Sequence, residues 1–179
     1  MLGLRQHTGH RRMWVLWMVV VALTGPWILR GCSVPQPVIR DRCTVSSVHD
    51  GDTIHAECQG EKLKIRLYCI DAPEISQKPW GLDSRDNLRS LLPQGSVIQL
   101  KIYDKDKYGR QVAEVIKGNE NLNQLMVQTG QVVVYPRYCP AGFTEYYQAE
   151  EQARQSRKGV WRKSGLQQQP WKWRHRYLR

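Results

Sequence analysis

Three carboxylates and an arginine lie close together in the chain, in an order suited to phosphate chemistry. Asp52 follows an Asp-Gly dipeptide, and Arg66, Asp71 and Glu74 come within and just after a segment of alternating hydrophobic residues. Two carboxylates that share a hard cation, a third carboxylate nearby and a guanidinium between them are the groups that metal-assisted phosphodiester cleavage requires. A second arginine, Arg110, follows further along the chain. This set of residues predicts a site that acts on phosphodiesters.

These residues lie in segments that resemble the catalytic signature of the staphylococcal nuclease (thermonuclease) family. The segments are Asp50-Gly51-Asp52-Thr53, the run from Ile65 to Glu74, and Lys107-Tyr108-Gly109-Arg110. The resemblance extends from about Cys43 to Trp161, so we assign a staphylococcal nuclease-like domain to residues 43–161.

The resemblance implies roles for the charged residues. Arg66 and Arg110 match the two arginines that bind phosphate, and a planar guanidinium pairs bidentately with phosphate oxygens. Glu74 matches the family's candidate general base, which takes a proton from the attacking water; orientation of that water is the alternative role.

The resemblance also implies a calcium site. Asp52 and Asp71 match the family's carboxylate ligands for Ca²⁺, and Ala72 occupies the position that supplies a backbone carbonyl. Asp50 is either a weak or outer ligand or only a turn-forming residue.

Two tyrosines are candidate substrate-binding residues. Tyr108 and Tyr135 fall near positions at which the family places tyrosines against the nucleotide, and a base can stack on such rings. Aromatic packing is an equally good explanation of Tyr135, because the loop at 134–142 departs from the family pattern.

The hydrophobic pattern predicts a mainly β protein of the α+β class. Five strands with a helix inserted after the third are typical of the oligonucleotide/oligosaccharide-binding (OB) fold, and closure into a barrel is implied by the resemblance. We therefore expect a five-stranded OB-fold barrel with about three helices. The predicted strands are 43–49, 53–58, 62–70, 96–103 and 111–117, with a further strand at 131–135, and the predicted helices are 80–92, 121–129 and 143–158.

The cysteines favour an oxidising compartment. With Cys32 set aside as a processing-site residue, Cys43, Cys58, Cys69 and Cys139 allow three pairings, and four unpaired thiols are the alternative. A two-residue turn at the Asp-Gly dipeptide places Cys43 opposite Cys58. Because that register makes them a hydrogen-bonded pair, we expect a bulge or a frayed end if they form a disulfide.

The N-terminus is typical of a targeting segment. Arginines precede a hydrophobic run at 13–29, and Cys32 follows in a sequence similar to a lipobox, although Arg30 stands where a small or apolar residue is usual. We interpret residues 1–32 as a signal peptide, a lipoprotein signal or a membrane anchor, and 33–42 as a linker. Each alternative places the catalytic region outside the cytoplasm. A buried helix explains the flanking charges less well.

The net charge of +11 comes from the two ends of the chain. Residues 41–153 carry a net charge of −3, so the overall basicity says little about the domain itself. We assign residues 162–179 as a basic, aromatic C-terminal tail, in which aromatic residues alternate with Lys and Arg from Trp171 onwards. We expect the tail from about Gln167 to raise the affinity for polynucleotides without taking part in the chemistry. Packing of its tryptophans on the barrel is the alternative.

Together these features predict a monomeric, secreted or membrane-tethered nuclease that depends on Ca²⁺. It is expected to hydrolyse DNA and RNA with little sequence specificity, leaving 3′-phosphate ends as the family resemblance implies. A non-catalytic nucleic-acid-binding module on the same fold is the alternative, and a scaffold that binds membranes through its basic ends is a weaker third. The presence of the whole charged set favours the enzyme.

Overall fold

The structure, a computed structural model, describes residues 36–178. The predicted signal or anchor at 1–32 lies outside the described residues. Within the described range, no helix combines the length and hydrophobicity that crossing a bilayer requires.

Five long strands form a closed barrel, which confirms the predicted fold. The sheet order is β3-β2-β1-β5-β6-β7, and a parallel pairing of β3 with β6 closes it. The strands of the described chain are β1 (Val38–Val48), β2 (Thr53–Cys58), β3 (Glu61–Leu67), β4 (Ile70–Asp71), β5 (Val97–Lys105), β6 (Gln111–Lys117), β7 (Glu120–Asn121) and β8 (Val133–Val134). Because β1 begins at Val38, residues 38–42 belong to the barrel, and their assignment to a linker was wrong.

The barrel interior is filled by the inward side chains of alternating strand residues. In β3, Leu63, Ile65 and Leu67 are buried, whereas Lys62 and Lys64 are exposed. This alternation fixes the register, since a slip of one residue would turn the hydrophobic set outward. It also places Arg66 on the face opposite the hydrophobic stripe, as predicted.

Helices pack around the barrel at the expected places, and one more follows. The helices are α1 (Trp80–Leu91), α2 (Leu122–Gln128), α3 (Thr144–Gln155) and α4 (Pro170–Tyr177). The first three agree with prediction within a few residues. The fourth lies in the segment that we treated as a tail, and proline at its first position suits the start of a helix.

The β1–β2 hairpin differs from the predicted two-residue turn. Both Asp50 and Gly51 lack the positive φ that a type I′ turn requires, and the N–H of His49 instead donates to the carbonyl of Thr53 at 2.9 Å. The connection is longer, and a bulge between Val45 and Ser47 compensates for the shift in register.

That bulge restores the pairing of Cys43 with Cys58, which form a disulfide with their Cα atoms 4.2 Å apart. The spacing is that of a non-hydrogen-bonded pair, the geometry that suits a cross-strand disulfide. A second disulfide joins Cys69, between β3 and β4, to Cys139, in the loop before α3.

Removal of either disulfide is expected to destabilise the protein, and removal of the second more strongly. The loops that they close span 15 and 70 residues, so the loss of loop-closure entropy predicts about 3 and about 4 kcal/mol respectively. Urea unfolding of the double variants Cys43→Ala/Cys58→Ala and Cys69→Ala/Cys139→Ala measures both values. Unfolding free energies equal to that of the unmodified protein would contradict the assignment of both bridges.

Candidate active site

The centre of the candidate site is a pair of buried carboxylates that share one guanidinium. Asp52 precedes β2, Asp71 ends β4, and both are almost completely buried. Arg66 in β3 is paired across the sheet with Thr53, which brings it beside Asp52. Its Nη1 lies 2.9 Å from Asp52 Oδ1 and its Nη2 lies 2.5 Å from Asp71 Oδ1. Arg66 therefore bridges the two predicted metal ligands.

Asp52 is held on its other side by the backbone. The N–H of Ala72 donates to Asp52 Oδ2 at 2.7 Å, and the hydroxyl of Thr53 donates to Oδ1 at 3.1 Å. Asp50 accepts a hydrogen bond of 3.0 Å from the N–H of Asp52. Asp50 therefore contacts the backbone of a predicted metal ligand, as an outer residue of the site does. Ala72 thus fixes the Asp52 carboxylate through its amide, and the role of its carbonyl as a ligand stays a prediction.

Two glycines permit the close packing that places these loops. A Cβ on Gly51 would lie 2.8 Å from the Cβ of Ala72 and would clash with Ser84 of α1. A Cβ on Gly81 would lie 2.8 Å from the Cα of Ile75 and would clash with the carbonyl of Glu74. Glycine at these positions lets α1 press directly on the loops that carry the carboxylates.

The electrostatics of the pair suit a hard cation. Burial, with Asp50 nearby, raises the pKa of Asp52 to about 6 even though Arg66 opposes the change. Burial and the Asp52 charge likewise raise the pKa of Asp71. The described residues contain no cluster of three or more His, Cys, Asp or Glu side chains placed to hold a metal. Ca²⁺ accepts backbone carbonyls and waters beside a few carboxylates, so this all-oxygen pair fits it.

Glu74 is tied to the pair by an arginine that the sequence did not point to. Arg174 of α4 donates from Nη1 to Glu74 Oε1 at 2.9 Å and from Nη2 to both carboxylate oxygens of Asp71 at 3.0 Å. Although burial opposes it, the charges of Asp71 and Glu74 raise the pKa of Arg174. The alternation of rings and cations in the tail was the only signal, and it does not indicate which cation folds inward.

Arg110 and Tyr108 lie just before β6, the strand that pairs with β3 at Arg66. Arg110 immediately precedes β6, whose Gln111 is paired with Ile65, the neighbour of Arg66. Its guanidinium is paired with Asp106, with Nε 2.7 Å from Oδ2, and lies over the ring of Tyr108 at 5.6 Å from its centroid. The ring of Tyr108 is 71% exposed. Tyr108 is therefore at the surface near the Arg66 strand, whereas the side chain of Arg110 beside it is only about one-fifth exposed.

Tyr135 packs against the C-terminal helix. Its ring is stacked on Trp171 with centroids 4.9 Å apart and an interplanar angle of 7°. The ring of Tyr138 is nearly perpendicular to it, with centroids 5.0 Å apart. Burial and the Asp71 charge raise the pKa of Tyr135, which places it at the margin of the site. One face of the ring is thus covered by an aromatic residue of the chain itself, in agreement with the packing alternative.

A small OB-type barrel with buried carboxylates and arginines defines a class of phosphodiester-directed proteins, and comparison with known proteins specifies the family. The family model described as staphylococcal nuclease homologue matches residues 64–163.

Several curated relatives align over most of the chain. An uncharacterized endonuclease of Escherichia coli O157:H7 is 37% identical over 133 residues, which covers 74% of this chain and 84% of that protein. A micrococcal nuclease of Shigella flexneri is 34% identical over 142 residues, covering 74% and 80%. An uncharacterized endonuclease of Haemophilus influenzae is 36% identical over 135 residues, covering 75% and 71%. The chain therefore belongs to the staphylococcal nuclease family, and its enzyme class is that of a nuclease, a hydrolase.

Loss of Arg66 is expected to destabilise the metal-free protein far more than loss of Arg110. Arg66→Gln leaves buried Asp52 without its cation and leaves Asp71 with Arg174 alone, and breaking such a buried pair typically costs about 3–5 kcal/mol. Arg110→Gln breaks a pair nearer the surface and should cost less than about 1 kcal/mol. Urea unfolding of both variants in EGTA measures the difference, and equal free energies would contradict the bridging role of Arg66.

Proposed function

We propose that this chain is an exported, monomeric, Ca²⁺-dependent nuclease that hydrolyses DNA and RNA with little sequence specificity and leaves 3′-phosphate ends. The observation that carries this proposal is the buried pair Asp52 and Asp71, bridged by Arg66 and linked to Glu74 through Arg174. Burying several charged groups together contributes little to stability, because the cost of removing them from water offsets their attraction. In a member of a nuclease family, such a cluster is therefore a candidate for the catalytic site.

The residues divide the chemistry between them. Ca²⁺, when held by Asp52 and Asp71, would neutralise charge on the phosphoryl group and bring the attacking water close to phosphorus. Arg66 would exchange its bonds to Asp52 and Asp71 for bonds to the phosphate oxygens, whose negative charge grows in the transition state. Glu74 takes the proton of the attacking water as its oxygen bonds to phosphorus in line with the 5′-oxygen. The bond from phosphorus to the 5′-oxygen breaks, and that oxygen takes a proton from solvent to become a hydroxyl.

Arg110 and Tyr108 act on the substrate from the rim in this proposal. For Arg110 to bind a phosphate oxygen, its pairing with Asp106 has to loosen or be shared. Both partners are about one-fifth exposed, so such an exchange costs less than it would in the interior. The exposed ring of Tyr108 offers a face on which a base can stack.

Export is supported by the cysteines of the described region. All four of them are paired in two disulfides, and such bonds persist in oxidising compartments. The anchor or signal proposed for 1–32 would deliver the domain there, either released or tethered to the membrane.

Digestion of single- and double-stranded DNA and of RNA tests the proposal. With Ca²⁺ we expect cleavage of all three substrates and 3′-phosphate ends, detected by the failure of the products to prime a polymerase before phosphatase treatment. In EGTA we expect cleavage to stop, since the site offers only oxygen ligands. Full turnover in EGTA would refute the calcium requirement. Binding without any cleavage would instead support a nucleic-acid-binding module.

Replacement of the arginines by lysine separates charge from geometry. Arg66→Lys and Arg110→Lys keep the charge but lose the bidentate fork, so each is expected to lower kcat/KM by about 10²–10³. Gel or fluorescence assays of DNA cleavage measure the loss. A change below about fivefold at both positions would mean that the fork does not contribute to transition-state binding.

Glu74→Gln is the corresponding test of the base. It is expected to lower kcat by at least about 10² while the affinity for an oligonucleotide in EGTA changes little. If the affinity falls and kcat is preserved, Glu74 has a structural role and another group accepts the proton.

A further inference from the structure

The C-terminal helix α4 contacts the candidate site at two independent points. Arg174 bridges Asp71 and Glu74 with one guanidinium, and its side chain is 30% exposed. Three residues earlier, Trp171 stacks on Tyr135. Residues 171 and 174 lie on the same side of a helix, so both contacts are made by one face of α4.

The connection that leads to α4 is also fixed to the body of the protein. The side-chain amide of Gln167 is buried and donates to the carbonyls of Val160 and Lys163, and Gln168 donates to the same two carbonyls. Helix α4 and the segment that follows Glu74 also line one groove. Its lining includes Gln77, Lys78 and Trp80 together with Trp173 and Tyr177 of α4.

Glu74 itself is held from two directions. Its N–H donates to Gln77 Oε1 at 2.8 Å, which fixes the backbone, and its carboxylate is held by Arg174 through Oε1. The Glu74 side chain is about one-third exposed, and the residue lies on the loop between β4 and α1. Its bond to Arg174 therefore restricts a side chain that is partly open to solvent. Without Arg174 the side chain would sample several rotamers, and the orientation that accepts a proton would be one among them.

From these contacts we propose that α4 is part of the active site and that Arg174 is a positioning residue, which holds Glu74 and Asp71 in the arrangement that hydrolysis requires. The proposal rests on the nuclease activity proposed above. It assigns the tail a place in the catalytic machinery, in addition to any affinity that its charges provide. Residues that orient metal ligands and bases typically contribute about 10–100-fold to activity.

The test compares Arg174→Ala with Arg176→Ala. Both remove an arginine from the same helix, but Arg176 is exposed and lies over the ring of Tyr177, away from the carboxylates. Each variant loses one positive charge, so the change in KM through phosphate attraction should be similar. We expect kcat to fall about 10–100-fold for Arg174→Ala only. Affinity for an oligonucleotide in EGTA should match that of the control. Because Arg174→Ala removes a cation from buried Asp71, its melting temperature is expected to fall, and kcat is compared at a temperature at which both variants are fully folded.

Two further measurements separate positioning from stability. Millimolar guanidinium, compared with the same concentration of KCl, should restore part of kcat in Arg174→Ala and leave Arg176→Ala unchanged. In a Glu74→Gln background, Arg174→Ala should reduce kcat by a smaller factor than it does in the unmodified protein, because the part of the loss that acts through Glu74 is already gone and only the effect on Asp71 is left. Arg174→Lys keeps a cation beside Asp71 and so limits the loss of stability, but an ammonium cannot reproduce the fork that joins both carboxylates, so its kcat is still expected to fall.

The outcomes distinguish the two proposals. If the unmodified protein does not cleave DNA in Ca²⁺, the proposed function fails before the variants are compared. If it does cleave and both variants retain its kcat, or the effects of Arg174 and Glu74 add fully, the positioning role is wrong. A rise in kcat for Arg174→Ala would also overturn it, because the helix would then be an inhibitory cover over the site.

Discussion

The arrangement of this protein depends on the burial of two like charges side by side. Asp52 and Asp71 are both shielded from water, and each raises the cost of ionising the other. An isolated carboxylate in such a place would be neutral, so the ionised pair requires cations from the protein or from solution. Arg66 and Arg174 supply two of these from β3 and α4. The barrel brings the two carboxylates together, and the two guanidiniums offset the electrostatic repulsion between them.

The surrounding fold serves this constraint at several points. The β4–β8 pairing places Asp71 beside Val133, and the amide of Ala72, the next residue, fixes Asp52. The Cys69–Cys139 disulfide fastens the chain just before β4 to the loop that follows β8. Glycine at position 51 lets α1 approach without a clash. A site built on strands and cross-links stays rigid, which suits groups that have to meet a phosphate in one orientation.

The sequence predicted the parts of this structure that depend on local pattern. Alternation in β3 identified its buried face and the opposite placement of Arg66, and the hairpin register paired Cys43 with Cys58. A bulge was expected in this hairpin, but its position was not predicted. The predicted two-residue turn was wrong, because the packing of Gly51 under α1 overrides the local turn preference of Asp-Gly. The contact of Arg174 with Glu74 spans 100 residues of sequence. No periodicity reports such a contact, since it depends on the path of the whole chain.

A crystal structure of the protein with Ca²⁺ and a short oligonucleotide would show whether Asp52 and Asp71 form a cation site served by Arg66 and Arg174. We expect one ion with an oxygen of each aspartate at about 2.3–2.6 Å, Arg66 on the phosphate and Arg174 still bonded to Glu74. Calcium bound elsewhere, with both aspartates still engaged only by the arginines, would contradict this expectation.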